Sequence, residues 1–380
     1  MNRFEQELSE LKEKGSFRSI PPIEHEGKYI IKDNQKLVNL SGNDYLGLAS
    51  RRDLLEQFQE ETQGQFLPYS SSSSRLLTGN FPIYEQLESL IAGSLQHEAA
   101  LLLNSGYHAN IGILPAITTK RSLIVADKLV HASMIDGIRL SNAQFVRYKH
   151  NDNAHLQKIL EKEAANYDEV FIVTESLFSM DGDIADLRFL VAMKQRFDNV
   201  YLYVDEAHAI GVRGNNGYGI AEEQGVLADI DFLVGTFGKA LASMGAYVAC
   251  TKVMRDYLIN TMRPLIFSTT LPPVTIAWSH FIFKQLPLFG KEREHLEIIS
   301  KLLRDAIAAK GVAMPSESNI IPYIIGENKA CIDFALQLQK LGVYALPVRP
   351  PTVPVGTSRV RFSLSAAIAK EDIEAILSGL

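Results

Sequence analysis

The stretch YLYVDEAHAIGVRGNNGYGIAEEQGVLADIDFLVGTFGKALASMGA, Tyr201 to Ala246, decides how the chain is read. Apolar, β-branched and aromatic residues from Tyr201 to Val204 stop abruptly at Asp205, Glu206, Ala207 and His208. That is the pattern of a buried parallel strand whose C-terminal end opens into a site, and ligands of open α/β sheets bind at that end. A second apolar run, Ile230 to Val234, stops at Gly235, Thr236, Phe237, Gly238 and Lys239. An acid, an imidazole and an amine therefore fall just past strand ends. Singly, Asp205 reads as a helix cap, His208 as a loop residue and Lys239 as one more surface cation. Together they read differently, because Lys239 sits among Gly238, Ala240, Leu241 and Ala242 with no other charge from Thr236 to Ala249. Burial lowers a lysine pKa, which is what a Schiff-base lysine needs. Pyridoxal phosphate is the cofactor that needs such a lysine together with an acid for its ring nitrogen. The Asp-Glu-Ala-His run also spells a helicase box, but no Gly-x-x-x-x-Gly-Lys-Ser/Thr phosphate loop accompanies it, since Ala240 follows Gly238-Lys239.

Bulk properties narrow the class. At 380 residues the chain is long enough for two or three domains, taking roughly 150 residues for each. A net charge of −6 argues against a general nucleic-acid binder. Cys250 and Cys331 make neither a disulfide framework nor a metal spacing and read as buried small hydrophobes. No apolar run approaches ~20 residues, so no membrane span is expected. The charged, amphipathic N-terminus lacks an apolar signal core, which makes a cytoplasmic enzyme the natural expectation.

Other motifs surround the central stretch. Phe4, Leu8 and Leu11 recur at helical spacing before Gly15. Ser41-Gly42-Asn43-Asp44-Tyr45-Leu46-Gly47 is a polar turn entering a packed segment. The serines of 70–74, before Arg75, read by composition as a flexible linker. Ala100 to Leu103 reads as a strand, and Asn104-Ser105-Gly106-Tyr107 opens a helix whose free amides suit a phosphate. Leu123 to Ala126 and Val170 to Val173 read as strands, followed by Asp127…His131-Ala132-Ser133 and by Ser179-Met180-Asp181-Gly182-Asp183. The two aspartates of the latter read as turn formers. From Trp278 the periodicity becomes helical from Leu296 to Ile307, then alternates strands, Ile320 to Ile325 and Val343 to Leu346, with a helix, Cys331 to Lys340. That is a smaller α+β unit. By composition Val348 to Ser363 is a rigid turn leading into an alternating edge strand with solvated arginines.

In this order the motifs resemble the α-oxoamine synthase family, over about Asn43 to Ala367. The family comprises pyridoxal-phosphate enzymes of fold type I that join an amino acid to an acyl thioester with loss of carbon dioxide. The resemblance implies a mostly parallel seven-stranded α/β sheet with helices on both faces. It divides the chain into an N-terminal helix and arm (1–43), a large cofactor domain (44–277) and a smaller α+β domain (278–380). It also implies roles for individual residues. Lys239 would bind the cofactor and act as base, Asp205 would hold the ring nitrogen's proton, His131 would stack on the ring and His208 would contact its phenolic oxygen. Gly106 and Tyr107 would offer amides to the phosphate, Ser179 and Thr236 would orient cofactor oxygens, and Ser268 or Thr269 would reach the phosphate of a neighbouring subunit. Asn43 and Arg361 would hold the substrate carboxylate, with Arg18 and Thr352 on the substrate side as well. The serine-rich run would be an ordered loop, its family glycines replaced by serine. Many relatives carry histidine where this chain has Ile368.

The wording Arg349-Pro350-Pro351-Thr352-Val353-Pro354 is similar to that of members joining L-alanine to a pimeloyl thioester, on coenzyme A or a carrier protein. The resemblance thus implies a homodimer with shared active sites, making a precursor of biotin. Glycine- or serine-using synthases, an aminotransferase and a non-catalytic cofactor- or partner-binding subunit are the other readings. They are separable by amino-acid preference, by a keto-acid acceptor and by loss of site residues, and Asp205, His208 and Lys239 are all present.

Overall fold

A computed structural model describes residues 2–379. Its backbone falls into two compact units, one made of Met1–Ser50, Ser179–Asp183 and Glu294–Leu380, the other of Arg51–Phe178 and Ile184–Arg293.

The first unit begins with the expected helix, Arg3–Glu13. A capping box starts it, with the Glu5 amide donating to Asn2 Oδ1 at 3.0 Å and the Asn2 amide to Glu5 Oε2 at 2.8 Å. A meander follows, β1 (Glu24–Glu26), β2 (Tyr29–Lys32) and β3 (Gln35–Asn39).

The second unit supplies β4 (Ala99–Leu103), β5 (Ser122–Asp127), β6 (Gln144–Tyr148), β7 (Glu169–Glu175), β8 (Val200–Asp205), β9 (Phe232–Thr236) and β10 (Ala246–Cys250). They form a seven-stranded sheet in the order β4-β10-β9-β8-β7-β5-β6. Pairings from β6 through β9 are parallel, while β10 runs antiparallel to both β9 and β4. The sheet is therefore the mostly parallel one expected, with one reversed strand. Ile124, Ala126, Phe171, Val173, Tyr203, Phe232, Val234 and Val248 share one apolar cluster with the helices Gly106–Ile117 and Ala132–Leu140. The alternate residues Leu123, Val125, Val170, Ile172, Leu202, Val204 and Leu233 are buried too. Both faces are thus covered, which is why these strands read as unbroken apolar runs rather than alternating ones.

The serine run is not a flexible linker. Ser71 Oγ donates to the Thr270 carbonyl at 3.0 Å, the Thr270 amide donates to the Ser73 carbonyl at 3.1 Å, and Arg75 is paired with buried Glu88. Ser72 takes φ +50°, the left-handed conformation for which glycine is the usual choice.

The C-terminal part of the first unit supplies β11 (Ile320–Gly326), β12 (Val343–Tyr344), β13 (Pro347–Val348) and β14 (Ser358–Ser363), followed by the helix Lys370–Gly379. β12 pairs parallel with β3, so the N-terminal arm belongs to the same sheet as C-terminal residues. β14 lies between β11 and β13 and is not an edge strand. Its Arg359 is 4% exposed and paired with Asp181, so this arginine is not solvated and Asp181 does more than form a turn. Composition misled here because a buried ion pair has the same residue types as a solvated one.

The helices Gly106–Ile117 and Ala132–Leu140 cross at Gly137, where an added Cβ would lie 2.3 Å from the Asn110 carbonyl oxygen. Gly137→Ala is expected to force them apart and lower stability by about 1–3 kcal/mol. An unchanged urea midpoint would contradict that close approach.

Candidate active site

The C-terminal ends of the parallel strands gather the polar residues of the second unit. At the end of β8 the Asp205 carboxylate is 5% exposed. Its Oδ1 accepts the Ala207 amide at 2.8 Å and its Oδ2 accepts Asn110 Nδ2 at 3.0 Å. His208, on the turn that follows, is buried as well.

β9 ends at Thr236, whose Oγ1 accepts the Gly238 amide at 3.2 Å and donates to the Gly245 carbonyl at 2.8 Å. Because β10 runs back beside β9, the chain must reverse within residues 237–245, and it does so through Ala242 at φ +47° and Gly245 at φ +107°. A Cβ on Gly245 would come within 2.6 Å of Leu271, so glycine is required there. Half-buried Lys239 rides on this loop. The Trp278 indole N–H donates to the Ala242 carbonyl at 3.0 Å, and the Ser243 and Ser279 hydroxyls are 2.8 Å apart. The helix Pro273–Gln285 thereby clamps the loop that presents the amine.

At the end of β4, Ser105 caps the helix Gly106–Ile117, its Oγ accepting the His108 amide at 3.2 Å. The amides of Gly106 and Tyr107 come first in that helix and have no acceptor within it. A Cβ on Gly106 would meet Thr236 at 4.0 Å, so this helix N-terminus adjoins the end of β9. Beyond β5, buried Asp127 accepts the Leu129 amide at 2.7 Å and the Asn151 amide at 2.9 Å, fixing the turn that carries His131. The His131 pKa is lowered, first by the protein mass around it, with the nearby Lys239 charge adding and the Asp205 and Asp136 charges opposing. An imidazole that feels both Lys239 and Asp205 places these three groups in one region.

Ser268 is half-buried and lines a small cavity with Arg75, Asn104, His108 and Thr270. Thr269 is exposed, and its carbonyl accepts Asn104 Nδ2 at 2.8 Å.

The remaining expected site residues belong to the other unit. Arg361 Nη2 donates to the Tyr45 hydroxyl at 3.2 Å, and the Tyr45 hydroxyl donates to Asn43 Oδ1 at 3.1 Å. Arg361 Nε is buried and has no acceptor among the described residues, an arrangement suited to an incoming carboxylate. Arg18 Nη2 donates to Thr352 Oγ1 at 3.1 Å, so these two residues, far apart in sequence, are brought together. Ser179 lies in the short Ser179–Asp183 segment, which the Arg359–Asp181 pair and a 3.0 Å bond from the Glu317 amide to the Gly182 carbonyl hold against this unit. Ile368 is buried, and its carbonyl bonds His295 Nε2 at 2.8 Å, so a histidine approaches that position from elsewhere in the chain.

Sequence reasoning gave no role to three polar residues here. Asn110, Ser133 and Glu206 are buried, and each links elements distant in sequence. The signals available were an asparagine inside the helix Gly106–Ile117 and the motifs in which Ser133 and Glu206 stand.

The groups present fit pyridoxal phosphate on chemistry alone. A buried carboxylate already supported by two donors suits a protonated ring nitrogen, and open helix amides beside Thr236 suit a phosphate. With the fold, they define a pyridoxal-phosphate-dependent enzyme of fold type I. The family profile described as aminotransferase class I and II matches residues 35–380. A relative from Haemophilus influenzae (strain 86-028NP), provisionally named 8-amino-7-oxononanoate synthase, is 59% identical over all 380 residues and 100% of both chains. One of the same provisional name from Neisseria meningitidis (serogroup C, strain FAM18) is 58% identical over 98% of each chain. Among solved structures, a serine palmitoyltransferase from S. paucimobilis superposes with a TM-score of 0.90 at 27% identity, covering 99% of this chain and 95% of that one. The 8-amino-7-oxononanoate synthase of Francisella tularensis gives 0.77 at 27% identity, covering 90% and 96%. The chain belongs to the class I and II aminotransferase family and, within it, to the 8-amino-7-oxononanoate synthases, which are pyridoxal-phosphate-dependent acyltransferases.

Glu206, next to Asp205, is 1% exposed and accepts the Ala221 amide at 2.7 Å and the Ile220 amide at 3.1 Å, with the Ser176 hydroxyl also donating to it. Burial still pushes its pKa from 4.5 up to about 7. The folded protein thus holds this proton more tightly than the unfolded chain, so its contribution to stability is full below about 4.5 and is lost as the pH rises toward 7. Glu206→Gln is expected to flatten stability against pH across that window in urea titrations, and an unaltered slope would contradict the assignment.

Proposed function

We propose that the protein joins L-alanine to pimeloyl-coenzyme A, or to pimeloyl-carrier protein, giving 8-amino-7-oxononanoate, carbon dioxide and the free thiol in biotin biosynthesis. What carries this reading is the 59% identity over the full length to a relative bearing that synthase name. The serine palmitoyltransferase structure superposes more closely, at 0.90 against 0.77, with the same 27% identity, so the fold supports the reaction class but does not choose the amino acid.

In this reading Lys239 would hold the cofactor and would serve as the base that takes the α-proton of alanine. Bound pyridoxal phosphate supplies an electron sink for the charge left at that carbon. Asp205 would keep the cofactor's ring nitrogen protonated, and the donors from Asn110 and Ala207 fix the Asp205 carboxylate. His131 would pack on the cofactor ring, and His208 would hydrogen-bond the cofactor. Gly106 and Tyr107 offer amides to the phosphate, with Thr236, Ser179 and, from a second copy, Ser268 or Thr269 completing the oxygen contacts.

Arg361 and Asn43 hold the alanine carboxylate, for which a guanidinium fork is better suited than an ammonium. The Arg18–Thr352 pair faces the acyl substrate. A homodimer is part of the proposal. Phe66, Tyr69 and Leu77 flank the serine run and are 89%, 87% and 79% exposed, apolar area that a second copy would cover.

With pimeloyl-coenzyme A present, L-alanine is expected to release free thiol, while glycine and L-serine release little. Thiol release with glycine or serine instead would keep the family and overturn the substrate. Lys239→Ala is expected to lose both the visible absorbance of the lysine-bound cofactor and turnover, and normal turnover would contradict its role. Asp205→Asn is expected to bind cofactor yet slow deuterium exchange at the alanine α-carbon by roughly 100-fold or more, and exchange at the wild-type rate would contradict its role.

A further inference from the structure

We propose that Asn110 is a positioning residue which, through Ser133, fixes His131 as the imidazole tautomer with its proton on Nε2. Asn110 is 1% exposed and meets three polar partners from two other elements, β8 and the helix Ala132–Leu140. Its Nδ2 is 3.0 Å from Asp205 Oδ2 and 2.9 Å from Ser133 Oγ, and its Oδ1 is 2.6 Å from the Tyr203 hydroxyl.

These contacts fix the direction of every hydrogen. A carboxylate only accepts, so the Asn110 atom facing Asp205 must be the amide nitrogen, and Oδ1 must accept from Tyr203. The two Nδ2 hydrogens are then both used, one on Asp205 and one on Ser133. Because Ser133 Oγ accepts from Asn110, its own hydrogen is available to His131 Nδ1, 2.8 Å away. The Ser133 amide points at the same nitrogen from 3.2 Å, since His131 caps the helix Ala132–Leu140 with Nδ1 as acceptor. Nδ1 therefore receives donors and carries no proton.

Neutral His131 then offers Nε2–H as its remaining polar atom, and the residue is exposed enough to meet a ligand. An N–H there suits a carbonyl or carboxylate oxygen of substrate. It has no lone pair with which to act as a base, which leaves proton abstraction to Lys239. That last consequence rests on the proposed reaction, whereas the tautomer does not.

The test uses the full chain without cofactor or substrate, labelled with ¹⁵N-histidine, and reads His131 by long-range ¹H–¹⁵N correlation at neutral pH, assigned with His131→Gln. The expected pattern is a protonated Nε2 and an unprotonated Nδ1, and the reverse pattern would overturn the proposal. A donor on Nδ1 stabilises the neutral ring, so Ser133→Ala should raise the His131 titration midpoint by about half to one pH unit, the size of one hydrogen bond. Ser133→Thr should restore it. The charges of Asp205, Lys239 and Asp136 act on His131 in all three proteins, so the difference reports the hydroxyl alone. An unmoved midpoint in Ser133→Ala, or no rescue by Ser133→Thr, would overturn the relay. Asn110→Ala should shift the midpoint the same way, and the Ser133 pair decides the matter if that variant does not fold. Failure here leaves the amino-acid preference untouched, and failure of that preference leaves the tautomer untouched.

Discussion

A carboxylate taken out of water at a strand end costs several kcal/mol unless donors meet it, and Asp205 is met by Asn110 and the Ala207 amide. Much of the surrounding packing follows from supplying the first of these. The helix Gly106–Ile117 must turn Asn110 toward β8, where Tyr203 also grips it. The helix Ala132–Leu140 must then come close enough for Ser133 to bond Asn110, which Gly137 permits by having no side chain. Satisfying one acid therefore sets two helix positions, and those helices carry Gly106, Tyr107 and His131.

Adjacent carboxylates serve opposite ends. Asp205 has its donors from Asn110 and Ala207 and lies at the strand end where the ligand-directed groups gather. Glu206 points the other way into the protein, where it ties the segment Gly219–Ala221 to the sheet. A Cβ on Gly219 would fall 2.5 Å from the Glu206 carboxylate, so backbone closeness and the buried acid require each other. Two residues of one motif thus divide into one held at the open strand end and one that holds the fold.

Features that local chemistry dictates were legible in the sequence. Apolar runs ending in Asp205 and before Lys239 marked real strand ends, because strands covered on both faces cannot hide a polar residue midway. Ser105 and Gly106 marked a real helix start. Features made by distant pairing were not legible. Nothing local reveals that β10 reverses direction, that β12 joins the N-terminal meander, or that Arg359 finds Asp181. Asn110 was given no role for the same reason, since its partners Ser133, Tyr203 and Asp205 meet only in the fold. The pairings of Arg18 with Thr352 and of Arg361 with Tyr45 likewise required the fold.

In the proposed reaction the loop between β9 and β10 presents the one amine that binds pyridoxal phosphate. Incubating the protein with the cofactor, reducing with borohydride, digesting and sequencing the labelled peptide by mass spectrometry tests it directly. A single pyridoxyl group on Lys239 is the predicted result. A label on another lysine, or spread over several, would contradict it.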